Sequence, residues 1–297
     1  MSEPPRQRPA RRPAARVRPQ ELAARRGGVR QGLDWLGRPP ESRPTLACRL
    51  AYLAGRALLF GIFRFKVNVA GREHIPPGGG YLLIAGAHRG WMDPLVVLHA
   101  LPLEPRVWFL GSGASTFTSP WKEWLIRQVG GLLPVWRGGV GIDGHIRAAR
   151  AVINNGGVFA QMPEGTVNGP PGRLGLLRPG AGVIALRTRA PILPMAIAGT
   201  EELYIGRRMA SRILPATSVE ELLGPGWDGV LPPPDSREEL VLARRVTDAL
   251  AGRIGPAVVE LHPGTLDPPG HARRLRRRLT WLLLGPGRLE RAAVDEA

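Results

Sequence analysis

The chain is poor in several features that define whole protein classes. Cys48 is its only cysteine in 297 residues. No disulfide can form within it, and a reducing compartment is consistent with that. No uninterrupted apolar stretch of about eighteen residues occurs, so there is no clear membrane-spanning helix. The opening MSEPPRQRPARRPAARVRPQ is basic but has no apolar core after it, and does not read as a signal peptide. No His/Cys/Asp/Glu group has zinc-ligand spacing, no glycine-rich loop ends in Lys-Ser/Thr, and GSGAS (111–115) is not a nucleophile elbow. Neither a metal nor a nucleoside triphosphate is implied. Lysine is nearly absent too, with Lys66 and Lys122 the only two among 41 basic residues.

Arginine is what abounds, and its placement is uneven. The net charge is +17, of which residues 1–45 hold +7 and residues 271–297 hold +4. Basic ends of this kind suit an anionic partner, either a phospholipid surface or a nucleic acid; a solvated, partly disordered tail explains residues 1–30 equally well. The charge lies in tails without interleaved aromatics and no recognition motif is present, so no specific nucleic acid is expected. The organisation expected is a basic Pro/Arg-rich tail over 1–45, an α/β domain over 46–262, and a basic/apolar segment over 263–297 in which RRLRRRLTWLLL places Trp281 after an arginine block.

Periodicity sets the fold class. In TLACRLAYLAGRALLFGIFRF (45–65), Leu46, Leu50, Leu53, Ala57 and Phe60 recur at helical spacing, with Arg49 and Arg56 on another side. This apolar, basic-striped helix either packs on the domain or lies in a membrane interface; spanning would bury Arg56 near mid-depth. Strand patterns follow at 65–69, 81–87, 106–111, 132–136, 157–162 and 191–199, alternating with helical patterns at 93–101, 121–130, 143–155 and 180–189. Alternation with short connectors argues an α/β domain, a central and mainly parallel sheet flanked by helices. Beyond Thr200 strand signals thin out, and Ser236 with Glu239 has the spacing of a capping box opening a last helix over 236–254.

In such sheets ligands gather beyond the carboxyl ends of the strands. His88 follows the apolar run YLLIAGA, and Asp93 comes five residues later at the start of the next helix. A carboxylate on one imidazole nitrogen frees the other to take a proton from an alcohol and stabilises the imidazolium formed. The spacing alone admits a second reading, in which Asp93 merely caps the helix.

Four segments in order decide between these readings. VNVAGREHIPPGGGYLLIAGAHRGWMDPLVV, carrying Gly71, Glu73, Ile75, Pro76, His88 and Asp93, resembles the region around the His-x4-Asp signature of the lysophosphatidate acyltransferase family (glycerolipid acyltransferases). GGLLPVWRG, ending in Arg137, is similar to its second block, and QMPEGT, with Glu164, Gly165 and Thr166, to its third. Arg178 falls where a basic residue follows that block, and APILPMAIAGT, with Pro194, resembles the fourth. The resemblance spans roughly residues 65–200, about half the chain. Ala87, Gly90 and Val167 depart from it, standing where Asn, Ser and Arg are usual. The missing arginine removes a bidentate phosphate contact: either Arg137, Arg173 and Arg178 serve instead, or the acceptor is not a simple glycerol phosphate.

The resemblance implies an enzyme that moves a fatty acyl group from acyl-CoA or acyl carrier protein to the hydroxyl of a lysophospholipid or glycerol-phosphate-type acceptor. It implies His88 as general base, Asp93 as its orienter, and Arg137, Glu164, Gly165, Thr166, Arg178 and Pro194 around the substrates. The thioester is a co-substrate and no cofactor is implied. Backbone amides near Gly165 are candidate oxyanion donors. The implied partners are a lipid acceptor, an anionic membrane surface and, for one choice of donor, acyl carrier protein. The implied location is peripheral or monotopic, on the cytoplasmic face of the cell membrane. A non-phosphate or glycolipid acceptor is the alternative, and a non-catalytic lipid- or nucleic-acid-binding protein is the rival from another class.

Overall fold

Tyr81 to Gly86 is buried at every position, and its neighbours in sequence part to opposite sides. Leu82 and Ile84 enter one hydrophobic cluster, Tyr81, Leu83 and Ala85 another. A strand whose two faces are both apolar must lie inside a sheet covered on both sides. The computed structural model describes residues 30, 32–112, 120–136, 141–165 and 169–266, and it shows that sheet.

Seven strands form it: β1 (Lys66–Ala70), β2 (Tyr81–Gly86), β3 (Val107–Ser112), β4 (Leu132–Val135), β5 (Val158–Gln161), β6 (Ile192–Ala198) and β7 (Arg208–Ile213). Their order is β1-β7-β6-β2-β5-β3-β4, parallel throughout except for the β6–β7 pair. The helices are α1 (Gly32–Leu36), α2 (Leu46–Arg56), α3 (Asp93–Ala100), α4 (Pro120–Val129), α5 (Ile142–Asn154), α6 (Pro179–Thr188), α7 (Val219–Leu223) and α8 (Arg237–Leu261). Ile146 and Val152 of α5, Ile184 and Leu186 of α6, and Leu242, Val246 and Leu250 of α8 cover one face. Val96 and Val97 of α3, with Leu59, Phe63 and Phe65, cover the other. The mainly parallel α/β sheet is therefore as expected.

Three details differ from the periodicity. β7 lacks a strand signature because its Met209, Ala210, Ser211 and Ile213 are all buried between β1 and β6, so RMASRI does not alternate. α8 begins where expected, with Ser236 Oγ accepting from the Glu239 N–H (3.1 Å), but runs past Ile254 to Leu261. Pro256 leaves the Gly252 carbonyl without its helical donor. Gly252 is exposed, so water can take that place, while Ala257 and Val258 stay buried. Within the stretch expected as a tail, Trp35 and Leu36 are buried in the core, and the Glu41 carbonyl accepts from Trp108 Nε1 (2.9 Å).

The long apolar helix is also divided. α2 is capped by Thr45, whose hydroxyl accepts from the Cys48 N–H at 3.2 Å, and it buries none of its residues. After Arg56 the chain winds as a π-helix over Ala57–Ile62, which buries Leu59. On α2, Leu46, Leu50 and Leu53 remain 72%, 58% and 60% exposed.

Close packing of α6 on α8 depends on one missing side chain. A Cβ on Gly182 would lie 2.1 Å from the Ala243 carbonyl oxygen, with backbone atoms that cannot step aside. Gly182→Ala is expected to cost about 1–3 kcal/mol. The check is urea unfolding, where the midpoint should fall without a change in slope.

Candidate active site

The parallel strands β2, β5 and β6 end on the same side of the sheet, and the loops leaving them meet there. β2 hands over to His88, Arg89 and Gly90 before α3 starts, and β5 hands over to Met162, Pro163 and Glu164.

His88 and Asp93 are paired. His88 Nδ1 lies 2.6 Å from Asp93 Oδ2, and the same oxygen accepts from the backbone N–H groups of Arg89 (2.6 Å) and Gly90 (2.8 Å). Asp93 is wholly buried, while the His88 side chain is one-fifth exposed. An ionised carboxylate only accepts, so Nδ1 carries the hydrogen of the neutral imidazole, and the lone pair is on Nε2. Nε2 has no hydrogen-bond partner among the described residues. Asp93 is not a cap: the helix N-cap position is Met92, without a side-chain bond, and the carboxylate reaches back to the preceding loop. Those bonds explain the five-residue spacing, because the loop must curl around the carboxylate before the helix can begin.

Glu164 secures this loop from the neighbouring strand. Its Oε1 accepts from the His88 N–H (2.6 Å), and its Oε2 from Arg89 Nη1 and the Gly175 N–H, both at 2.8 Å. Arg89 also donates to the carbonyls of His88 (2.8 Å) and Arg173. Both members of the Arg89–Glu164 pair are 4% exposed at their side chains. A Cβ at Gly175 would lie 2.3 Å from Glu164 Oε2, so only glycine lets the backbone approach the carboxylate. Glu164 therefore holds a buried cation and the backbone of the His88 loop at once.

Sequence reasoning passes over Arg89, which reads as one more arginine in an arginine-rich chain. The available signal was its place, a cation between the apolar runs of β2 and α3. Of the other expected residues, Gly165 and Arg178 come together beside Glu164. The Arg178 guanidinium lies against Gly165, and the Arg178 backbone N–H donates to the Pro163 carbonyl (2.9 Å). Arg178 is exposed and has no acidic partner among the described residues, so its charge is available to an anion. The Gly165 N–H donates to the Met162 carbonyl (3.1 Å), so this amide is already engaged and does not stand free as an oxyanion donor. Pro194 is not brought to this group: it is buried in β6 opposite Ile84, four residues before His88. Arg137, Thr166 and Val167 lie outside the described residues. Among the described residues no His/Cys/Asp/Glu group could hold a metal ion.

A buried carboxylate, an imidazole with one nitrogen free, and a nearby unpaired guanidinium can together remove a proton from a hydroxyl of an anionic molecule. Residues 66–198 match the family model described as Acyltransferase. The fold is similar to the crystal structure of the 1-acyl-sn-glycerophosphate (LPA) acyltransferase PlsC from Thermotoga maritima. That match has a TM-score of 0.51 and 24% sequence identity, and covers 72% of this chain and 79% of that one. No curated protein sequence matches the chain.

Proposed function

We propose that this chain, whose residues 66–198 match the family model described as Acyltransferase, transfers a fatty acyl group from a thioester, acyl-CoA or acyl carrier protein, to the hydroxyl of a lysophospholipid or glycerol-phosphate-type acceptor. The observation that carries this reading is the His88–Asp93 pair, 2.6 Å apart with Nε2 unbonded.

Nε2 takes the acceptor's hydroxyl proton as its oxygen attacks the thioester carbonyl, and Asp93 offsets the charge His88 gains. The tetrahedral intermediate then expels the thiolate, which recovers the proton from Nε2, leaving an ester and a free thiol. Arg178 beside Gly165 supplies a guanidinium for the acceptor's phosphate, a role that Val167 cannot fill. The test is transfer of labelled acyl groups from each donor to lysophosphatidate, other lysophospholipids and a glycolipid. Transfer only to the glycolipid would favour the alternative acceptor class and remove the role given to Arg178.

Among the described residues no helix is long and apolar enough to cross a membrane. The exposed Leu46, Leu50 and Leu53 of α2, with Trp121 and Trp124 of α4 each 63% exposed, instead support attachment to a membrane surface, on the cytoplasmic side in this reading. Leu50→Asp with Leu53→Asp is expected to weaken flotation with anionic phospholipid vesicles by about tenfold or more, given about 1.5–3 kcal/mol for each leucine fully buried. Unchanged flotation would remove α2 from the contact.

A further inference from the structure

The segment that joins β5 to α6 carries two exposed arginines near His88, and among its described residues it has no helix or strand of its own to hold it. Like Arg178, Arg173 has no acidic partner among the described residues. Where these two charges stand relative to His88 Nε2 is therefore decided by what grips residues 169–178 from outside.

The grip is a buried guanidinium. Arg89 Nη2 donates to the Arg173 carbonyl, while Nη1 donates to the His88 carbonyl and to Glu164 Oε2, both at 2.8 Å. One planar group thus bonds the middle of the segment on one side and the backbone of His88 on the other. The segment closes over it: a Cβ on Gly169 would lie 2.8 Å from Arg89 Cζ. Next to Arg173, Leu174 seats on the last residue of β2, where a Cβ on Gly86 would lie 2.4 Å from Leu174 Cδ1. These contacts leave the segment one position over the end of β2.

We propose that Arg89 is a positioning residue that sets acceptor selectivity. By bonding the His88 and Arg173 carbonyls at once, it keeps the segment bearing Arg173 and Arg178 at a fixed distance from Nε2. Acceptors whose anionic group and hydroxyl span that distance are then favoured over uncharged ones. This rests on the acyl-transfer reading above. Lysine cannot replace Arg89, because an ammonium is a point charge on a flexible stem and lacks the fork that reaches two carbonyls and a carboxylate together. It does still offset the Glu164 charge, so Arg89→Lys separates the placement of the segment from charge balance.

The test is steady-state kinetics of the wild-type chain, Arg89→Lys and Gly169→Ala with lysophosphatidate and with an uncharged monoacylglycerol, alongside hydrogen exchange of residues 169–178. Arg89→Lys should raise KM for lysophosphatidate about tenfold, the size of one charge-assisted hydrogen bond, with a smaller change in kcat and little effect on the monoacylglycerol. Exchange across 169–178 should quicken while the amides of β2 and β6 stay protected. Gly169→Ala presses on the same guanidinium from the segment and keeps every charge, so it should shift selectivity the same way even if Arg89→Lys does not fold. A loss confined to kcat, a loss equal for both acceptors, or unchanged exchange over 169–178 would overturn the proposal. No transfer by the wild-type chain to either acceptor would instead sink the acyl-transfer reading, and exchange alone would then decide whether Arg89 holds the segment.

Discussion

His88→Ala is expected to lower the rate of acyl transfer by about 10²- to 10⁴-fold, the usual contribution of a positioned general base. The protein should stay folded, because the imidazole is partly exposed and its tie to Asp93 is one of three that the carboxylate accepts. Asp93→Asn separates geometry from charge. Its amide oxygen can still accept from the N–H groups of Arg89 and Gly90 and from His88 Nδ1, but nothing then offsets the proton that His88 gains. A loss on the order of 10²-fold in kcat, with little change in KM, is expected for removing one electrostatic partner. Steady-state kinetics on both variants make the check. Undiminished transfer by His88→Ala would place the base elsewhere.

Glu164→Ala should be the most destabilising single change around the site. It strands the Arg89 guanidinium at 4% exposure and removes the acceptor from the N–H groups of His88 and Gly175. Breaking a buried pair by deleting one partner costs about 3–5 kcal/mol, because the remaining charge stays buried without compensation. At about 2–4 °C per kcal/mol for a domain of this size, the melting temperature should fall by about 6–20 °C. Arg89→Leu with Glu164→Leu removes both charges and should recover most of that stability, since apolar replacement of a buried pair is often neutral. Activity should not recover, because the His88 backbone has lost its anchor. Scanning calorimetry alongside kinetics distinguishes the outcomes: recovery of rate together with stability would reduce Glu164 to a structural residue.

Much of this protein is written in local pattern. Alternation of strand and helix signals gave six of the seven strands and the mainly parallel character of the sheet, though not its strand order, because each element's periodicity is a property of its own residues. β7 escaped for the same reason. A strand covered on both faces has no alternation to display, and RMASRI carries two arginines that mask its burial. α2 shows the opposite case: its apolar spacing was plain, but whether Leu46, Leu50 and Leu53 face a core or the outside depends on what the rest of the fold places beside them.

The same division runs through the site. His88 and Asp93 are five residues apart, and a loop that short brings them together by itself, so the pair was legible in the sequence. Glu164 reaches His88 from 76 residues away, and Arg89 gains a role only because β5 lies beside β2 in the sheet. The neighbour of a strand is chosen by packing of the whole chain, not by the residues on either side of it. Tertiary structure alone therefore decided that an arginine unremarked in the sequence is the cation Glu164 holds, and that Asp93 supports the loop before it rather than the helix after it.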